Sequence, residues 1–199
     1  AAPAALPSNP DRDAFFGQTH SHTSWSLDAY VIGNTVTGPE EAYRYAMGEA
    51  IKHPAGYEVQ LKRPLDFQGV TDHSEYMGML QKANDPNSPI SKSPIAAKMK
   101  VNSPADVVPV FQFLVGKLNR GERMEDLLKP EAISEVWQSV IAVADKYNKP
   151  GKFTTFAGFE WTSNPQKRNL HRVVVFRDTQ HLPDLVLSAL DSEDPETLW

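Results

Sequence analysis

The stretch FFGQTHSHTSWSLDAY, Phe15–Tyr30, runs from an apolar segment directly into His20, His22 and Asp28. Its beginning, AFFGQTH at residues 14–20, predicts a buried β-strand. Residues i and i+2 of a strand point to the same face, so two histidines at its end would direct both rings into one small volume. This geometry suits a metal ion, and an ordinary polar loop is the alternative when the His-x-His triplet is taken alone.

Three further segments predict strands, and each carries polar residues at one end. They are LDFQGVTDH, FTTFAGFEW and NLHRVVVFRD. Asp72 and His73 close the first of them. Glu160 closes the second, and His171 lies just inside the third. Singly, each has a structural explanation, such as a helix cap for Asp72 or a buried core position for His171. Together they predict a site, because α/β sheets place active sites at such strand ends.

The remaining segments predict helices. PEEAYRYAMGEAI, residues 39–51, has a proline in its first turn, and residues 74–148 carry apolar side chains at helical spacing. Strands that alternate with helices predict an α/β fold with a parallel or mixed sheet and a helical insertion over about 74–148. The last residues, LDSEDPETLW, resemble the beginning of a helix with Ser192 as cap and Pro195 in its first turn.

The length of 199 residues predicts a single domain. Residues 1–13, rich in alanine and proline, predict a flexible N-terminal arm, and residues 14–199 predict the N-terminal portion of a domain that continues beyond residue 199 in a parent protein. The opening AAPAALPSNP resembles the remnant of a cleaved signal peptide, which favours a periplasmic or secreted location over a cytoplasmic one.

Composition excludes several classes of function. The net charge is -5 and there is no continuous basic segment, so we expect no nucleic-acid partner. No apolar run reaches transmembrane length, so we expect no membrane partner. The chain has no cysteine, and any metal must therefore be held by histidine, carboxylate, backbone or water.

The motifs THSHTSWSLD, GVTDHSEY and GFEWTSNPQKRNLHRVVVFRD resemble the metal-binding motifs of the PHP superfamily, the polymerase and histidinol phosphatase metal-dependent phosphoesterases. They are most similar to a poorly characterised bacterial branch with TDHSEY and GFEWTS motifs. This resemblance implies that the chain is the front part of a distorted, seven-stranded β/α barrel with a helical insertion.

The resemblance also implies roles for individual residues. The implied metal ligands are His20, His22, Asp28, His73, Glu160 and His171. Glu160 is implied as the carboxylate that bridges two ions, and Asp72 as an acid that orients an imidazole. Glu75 has no counterpart. The superfamily completes its site with a later histidine and a late Asp-x-His pair, which the chain lacks; His181 follows His171 too soon to replace them, and His53 fits none of the motifs.

The function implied by the resemblance is metal-dependent hydrolysis, above all of a phosphate ester, with Glu160 and Asp72 as catalytic residues. Two or three divalent ions, zinc or manganese or also iron, would supply hydroxide from water. The expected partners are a small-molecule phosphate ester and the remaining C-terminal part of the same protein. Arg168 or Arg172 would meet the phosphate, with an exposed structural role as the alternative. An amidase or peptidase, and a non-catalytic metal- or partner-binding module, are the alternative functions.

Overall fold

A mixed four-stranded sheet, curled like half of a barrel, organises the computed structural model, which describes residues 13–199. Residues 1–12 of the predicted arm lie outside the described residues. The strands are β1 (Gly17–Gln18), β2 (Ile51–Lys52), β3 (Glu58–Val59), β4 (Phe67–Val70), β5 (Thr154–Ser163) and β6 (Leu170–Val175). The α-helices are α1 (Leu27–Val31), α2 (Pro39–Ala46), α3 (Met79–Asn84), α4 (Val107–Asn119) and α5 (Pro130–Tyr147). Short 3-10 helices cover Pro89–Lys92, Ala96–Met99, Pro104–Asp106, Glu125–Leu127, Pro165–Lys167 and Pro195–Leu198.

The sheet has the order β1-β4-β5-β6. β1, β4 and β5 are parallel to one another, and β6 runs antiparallel to β5. All four segments predicted as strands contribute to this sheet, so the α/β prediction with a mixed sheet is confirmed. Along the chain, the helices α3, α4 and α5 follow β4 and precede β5, within the predicted helical insertion. β2 and β3 form a separate antiparallel pair that the sequence did not predict.

The prediction of a buried first strand over residues 14–20 is wrong in extent and in burial. β1 has only two residues, and Phe15 and Phe16 remain 69% and 57% exposed. The reason is that β1 lies at the sheet edge and pairs only with β4. The ring of Phe16 instead lies 5.5 Å from the guanidinium of Arg63.

Three predicted helices differ from the structure in their bounds. α2 ends at Ala46 rather than near residue 51, because Gly48 follows with a φ of +84°, where the helix cannot continue. α3 begins only at Met79, because Tyr76 and Gly78 adopt φ values of +60° and +68°. At the end of the chain, Asp194 rather than Ser192 caps the 3-10 turn, accepting a hydrogen bond from the Glu196 amide at 3.0 Å.

The core includes buried residues of the sheet and of all five α-helices, and one part of it lies between the sheet and α5. This helix buries residues at helical spacing, namely Val136, Trp137, Val140 and Ala144. The Trp137 ring meets the Phe159 ring edge-on at 5.9 Å, and Thr155 Oγ1 donates a hydrogen bond to the Ala144 carbonyl at 2.5 Å. Odd-numbered residues of β5 therefore face α5, and the even-numbered Glu160 and Thr162 face the opposite side. No helix within residues 13–199 is both long enough and apolar enough to cross a membrane.

The close approach of three strands at Gly158 gives a test of the sheet. A Cβ at this position would lie 2.5 Å from the Val174 carbonyl oxygen and 3.0 Å from Thr71 Cγ2. We therefore expect Gly158→Ala to lower the free energy of unfolding by about 1–3 kcal/mol in urea denaturation.

The matched control for this substitution is Gly116→Ala in α4. A Cβ there would meet only the flexible end of Arg120, at 3.2 Å. The helix interior favours alanine over glycine, so we expect the free energy of unfolding to rise by about 0.5–1 kcal/mol. Equal effects of the two substitutions would contradict the described packing of β4, β5 and β6.

Candidate metal centre

The polar residues meet because β4 and β5 remain paired beyond the last regular residue of β4. The Glu160 amide donates to the Asp72 carbonyl at 2.9 Å, and the Ser74 amide donates to the Glu160 carbonyl at 2.7 Å. His73 and Glu160 are thereby paired as neighbours in a parallel bridge. On the other side of β5, Thr162 pairs with His171 of β6. The sheet register therefore brings residues from three segments to one point.

His20 and His22 lie in the segment after β1, which follows the continuation of β4. The Thr71 amide donates to the Ser21 carbonyl at 2.9 Å, and Ser21 Oγ donates to the Gly69 carbonyl at 2.9 Å. Ser21 makes both contacts, and His20 and His22 are its two neighbours in the chain. The ring centroids of these two histidines lie 4.9 Å apart. The Nδ1 of His20 lies 2.9 Å from Thr71 Oγ1, which orients this ring. The sequence did not single out Thr71.

The Glu160 carboxylate lies at the centre of the cluster, and its side chain is only 2% exposed. Its Oε2 lies 2.6 Å from His22 Nε2 and 3.5 Å from His20 Nε2. Its Oε1 bonds to His171 Nδ1 and accepts a hydrogen bond from Thr162 Oγ1 at 3.0 Å. Burial raises the pKa of Glu160, whereas His22, His73 and His171 lower it, and the balance brings it down to about 2.

The six predicted ligands form three overlapping groups. These are His20, His22 and Glu160; His22, Asp28 and His73; and His73, Glu160 and His171. Within each group, one potential ligand atom per residue lies within 4.8 Å of the others. His22, His73 and Glu160 each belong to two groups, so the three groups form one continuous cluster.

Asp28 reaches the cluster from the first turn of α1. Its Oδ2 lies 3.1 Å from His22 Nδ1 and 3.7 Å from His73 Nε2, and its Oδ1 accepts a hydrogen bond from Ser26 Oγ at 2.5 Å. Burial lowers the pKa of His22, but its hydrogen bonds with Asp28 and Glu160 prevail and raise it to about 10. The two carboxylates thus create a site that strongly favours positive charge.

Glu75 is a buried acid to which the sequence analysis assigned no role. Its Oε1 accepts hydrogen bonds from the Thr162 and Ala189 amides at 3.2 and 2.8 Å. Its Oε2 is buried without a hydrogen-bond partner and lies 3.6 Å from His73 Nδ1. Glu75 therefore places a further negative charge directly behind the cluster. The sequence signal that could have indicated a role for Glu75 was its position three residues after Asp72 and two after the predicted ligand His73.

Asp72 does not orient an imidazole, contrary to the prediction from the motifs. Its Oδ1 accepts a hydrogen bond from the Thr23 amide at 2.5 Å, and its Oδ2 accepts one from Thr23 Oγ1 at 2.7 Å. Successive side chains alternate along the continuation of β4, so Asp72 points away from the face that carries His73. Burial raises the pKa of Asp72 to about 6, although the hydrogen bonds from Thr23 oppose this shift. Asp72 holds the loop that carries His22 and is not itself part of the ligand groups.

The remaining candidates lie away from the cluster. Arg172 pairs with Trp161 and alternates with His171, so its side chain is on the opposite face of β6. Arg168 is exposed in the connection between β5 and β6. His53 stacks on Tyr57 at 4.4 Å beside β2, and the exposed His181 belongs to none of the three groups.

The residues present fit a divalent metal. Four imidazoles and two carboxylates are the ligand types of zinc, manganese and iron sites. The buried Glu160 faces imidazoles on both of its oxygens, and the Glu75 oxygen that lacks a hydrogen-bond partner lies 3.6 Å from His73 Nδ1. A site built in this way attracts cations by its charge and offers them nitrogen and oxygen ligands.

Comparison with known proteins gives a single result. The family model described as "Protein of unknown function (DUF3604)" matches residues 9–199. The chain belongs to the DUF3604 family. No curated protein and no solved structure matches it. The matched range of the DUF3604 model includes all of the ligand groups described above.

The buried contact between Asp72 and Thr23 in this DUF3604 protein gives a test of how the ligand loop is held. Removing the carboxylate in Asp72→Ala leaves the buried Thr23 amide without a partner. It also removes the acceptor of the Thr23 hydroxyl proton, so that Thr23 Oγ1 keeps only the hydrogen bond that it accepts from the Trp25 amide at 3.1 Å. We expect the free energy of unfolding to fall by about 2–4 kcal/mol in urea denaturation.

Asp66 supplies the matched control, because its carboxylate also accepts a hydrogen bond from a backbone amide, that of Phe16 at 2.7 Å, but in an exposed contact. Water can replace this contact, so Asp66→Ala should cost less than about 1 kcal/mol. A loss for Asp72→Ala no larger than that for Asp66→Ala would contradict the assigned role.

Proposed function

We propose that this protein is a metal-dependent hydrolase that acts on a phosphate ester. The observation that supports this most is the position of Glu160, a buried carboxylate shared by two of the three ligand groups. A carboxylate shared in this way is suited to bridge two ions, and clusters of bridged ions are typical of hydrolases.

The PHP-type fold belongs to the same proposal. The order β1-β4-β5-β6, three parallel strands and an antiparallel fourth, is compatible with the front part of a distorted β/α barrel. His20 and His22 follow β1, His73 follows β4, and Glu160 lies in the carboxyl-terminal half of β5. These positions are at the carboxyl ends of parallel strands, where barrel enzymes have their active sites. The motifs that resemble the PHP superfamily coincide with these positions.

In this proposal each residue has a defined task. One ion would be held by His20, His22 and Glu160. A second would be held by Asp28 with His22 or His73, and a third position would lie between His73, Glu160 and His171. Bound divalent ions would supply Lewis acidity and lower the pKa of water towards neutrality. Thr71, Ser26 and Thr162 orient their neighbouring ligands by hydrogen bonds. Zinc, manganese and iron all suit this mixture of imidazole and carboxylate.

Glu160→Gln is the sharpest test of the proposed function. The substitution keeps the size of the side chain but removes the charge that lies between the imidazoles. We expect the hydrolysis rate to fall by more than about 100-fold, since even residues that merely support a ligand are worth 10- to 100-fold. Circular dichroism should show that the fold is kept. The exposed Glu131→Gln, in the first turn of α5, is the control and should retain full activity. Unchanged turnover in Glu160→Gln would exclude the bridging role.

Removal of metal should lower the melting temperature. A ligand that binds only the native state at 100 times its dissociation constant stabilises it by about 2.7 kcal/mol. For a chain of this length, that corresponds to a decrease of about 5–10 °C when a chelator is added to the metal-loaded protein. Calorimetry of Glu160→Gln under the same conditions should show a much smaller decrease. The same melting curve for the wild type with and without chelator would contradict a metal centre.

A substrate panel separates the candidate reactions. Phosphomonoesters, phosphodiesters and amides are offered to the metal-loaded protein, and we expect hydrolysis of phosphate esters. Hydrolysis of amides alone would replace the proposal by an amidase or peptidase. Metal binding without any hydrolysis would favour a binding module.

A further inference from the structure

A cavity of about 530 Å³ lies directly beside the metal-ligand cluster. Asp28, His73 and His171 form one part of its wall, and residues of α4 form another part. The volume is within the range of small-molecule sites, which is about 300–1,000 Å³. A molecule bound here would therefore contact the candidate metal centre and α4 at the same time.

The wall formed by α4 is apolar. Phe111, Val115 and Leu118 line the cavity at a spacing of four and three residues, which places them on one face of the helix. The same helix buries Val110 and Leu114 in the core. α4 therefore has a second apolar stripe, and Phe111 in it is 42% exposed. A surface helix usually turns polar residues outward, so an apolar stripe inside a cavity indicates an apolar occupant.

The charged residues that line the cavity disfavour a substrate with a second anionic group besides its phosphate ester. Asp28, Glu75 and Glu193 line it, and so does Glu122, whose carboxylate is paired with Lys117 and Arg120. Arg123 is the only lysine or arginine among the described residues that line it. The guanidinium of Arg123 is already bonded to the Leu190 carbonyl and, at 3.0 Å, to Glu125. A second phosphate or carboxylate on the substrate would meet acids and no available cation. Nucleoside polyphosphates and sugar bisphosphates fit this cavity poorly.

We infer that the substrate is a phosphate ester of an apolar alcohol or phenol, whose aryl or alkyl group lies against Phe111, Val115 and Leu118. The inference rests on the proposed function, because it takes the neighbouring cluster as the site of hydrolysis. In that reaction the oxygen of water forms a new bond to phosphorus and the bond from phosphorus to the ester oxygen breaks. The ester oxygen takes up a proton from the water, and the products are phosphate and the free alcohol or phenol.

Binding of two non-hydrolysable probes tests the inference without measuring activity. Methylphosphonate and phenylphosphonate differ only in their apolar group, and titration calorimetry on the metal-loaded protein gives the dissociation constant of each. We expect phenylphosphonate to bind about tenfold more tightly, from the burial of its ring. In Phe111→Ala this ratio should fall to about threefold or less, and Phe111→Leu should restore most of it.

Val108→Ala is the matched control. Val108 is 59% exposed on the same helix and does not line the cavity, so the ratio should stay at its wild-type value. Because Phe111 and Val108 are both exposed, circular dichroism should show the same fold in all variants.

The outcomes separate this inference from the proposed function. Equal affinities of the two probes, or a ratio unaffected by Phe111→Ala, would overturn the inference even if phosphate esters are hydrolysed. If the ratio behaves as expected but no ester is hydrolysed, the apolar binding site stands and the proposed reaction is wrong. Failure of the protein to bind either probe would also overturn the inference.

Discussion

The arrangement of the site depends on the burial of one carboxylate, that of Glu160. Removing an ionised carboxylate from water costs several kcal/mol unless opposite charge and hydrogen bonds surround it. The protein supplies these with His22, His171 and Thr162. Such an arrangement is unstable towards the loss of any one partner, because the remaining groups would be left buried and unpaired. The buried carboxylate therefore requires positive charge beside it. Protonated imidazoles or metal ions bound between the side chains would supply this charge.

The register of the sheet decides which groups surround this carboxylate. A shift of β4 against β5 by a single residue would turn His73 to the other face and bring Asp72 towards the cluster. The two hydrogen bonds that join Asp72, Ser74 and Glu160 beyond the end of β4 oppose such a shift. Asp72 adds a second constraint, because its buried bonds to Thr23 fix the segment that carries His22. Two neighbouring residues thus have different roles. His73 faces the cluster, and Asp72 holds the segment that carries His22.

The four strands of the main sheet could be predicted because runs of apolar, β-branched and aromatic residues mark them. The histidines and Glu160 could be predicted from their positions at strand ends, whereas the role of Asp28 was implied only by the resemblance to the PHP motifs. The residues missed are those whose role depends on a distant partner. Thr71 orients His20, and Glu75 accepts hydrogen bonds from Thr162 and Ala189 amides. The exposure of Phe15 and Phe16 could not be predicted either, since it depends on the position of β1 at the sheet edge.

The distribution of the ligands along the chain has a consequence for folding. His22 and Glu160 are 138 residues apart in sequence but in contact in the structure. The helices α3, α4 and α5 lie between these two residues in the sequence, so pairing of β4 with β5 requires closure of a long segment. The cluster can therefore form only when this segment has closed. A metal ion bound by both His22 and Glu160 would oppose the separation of these two segments. Such an ion would slow unfolding and so lengthen the lifetime of the native state.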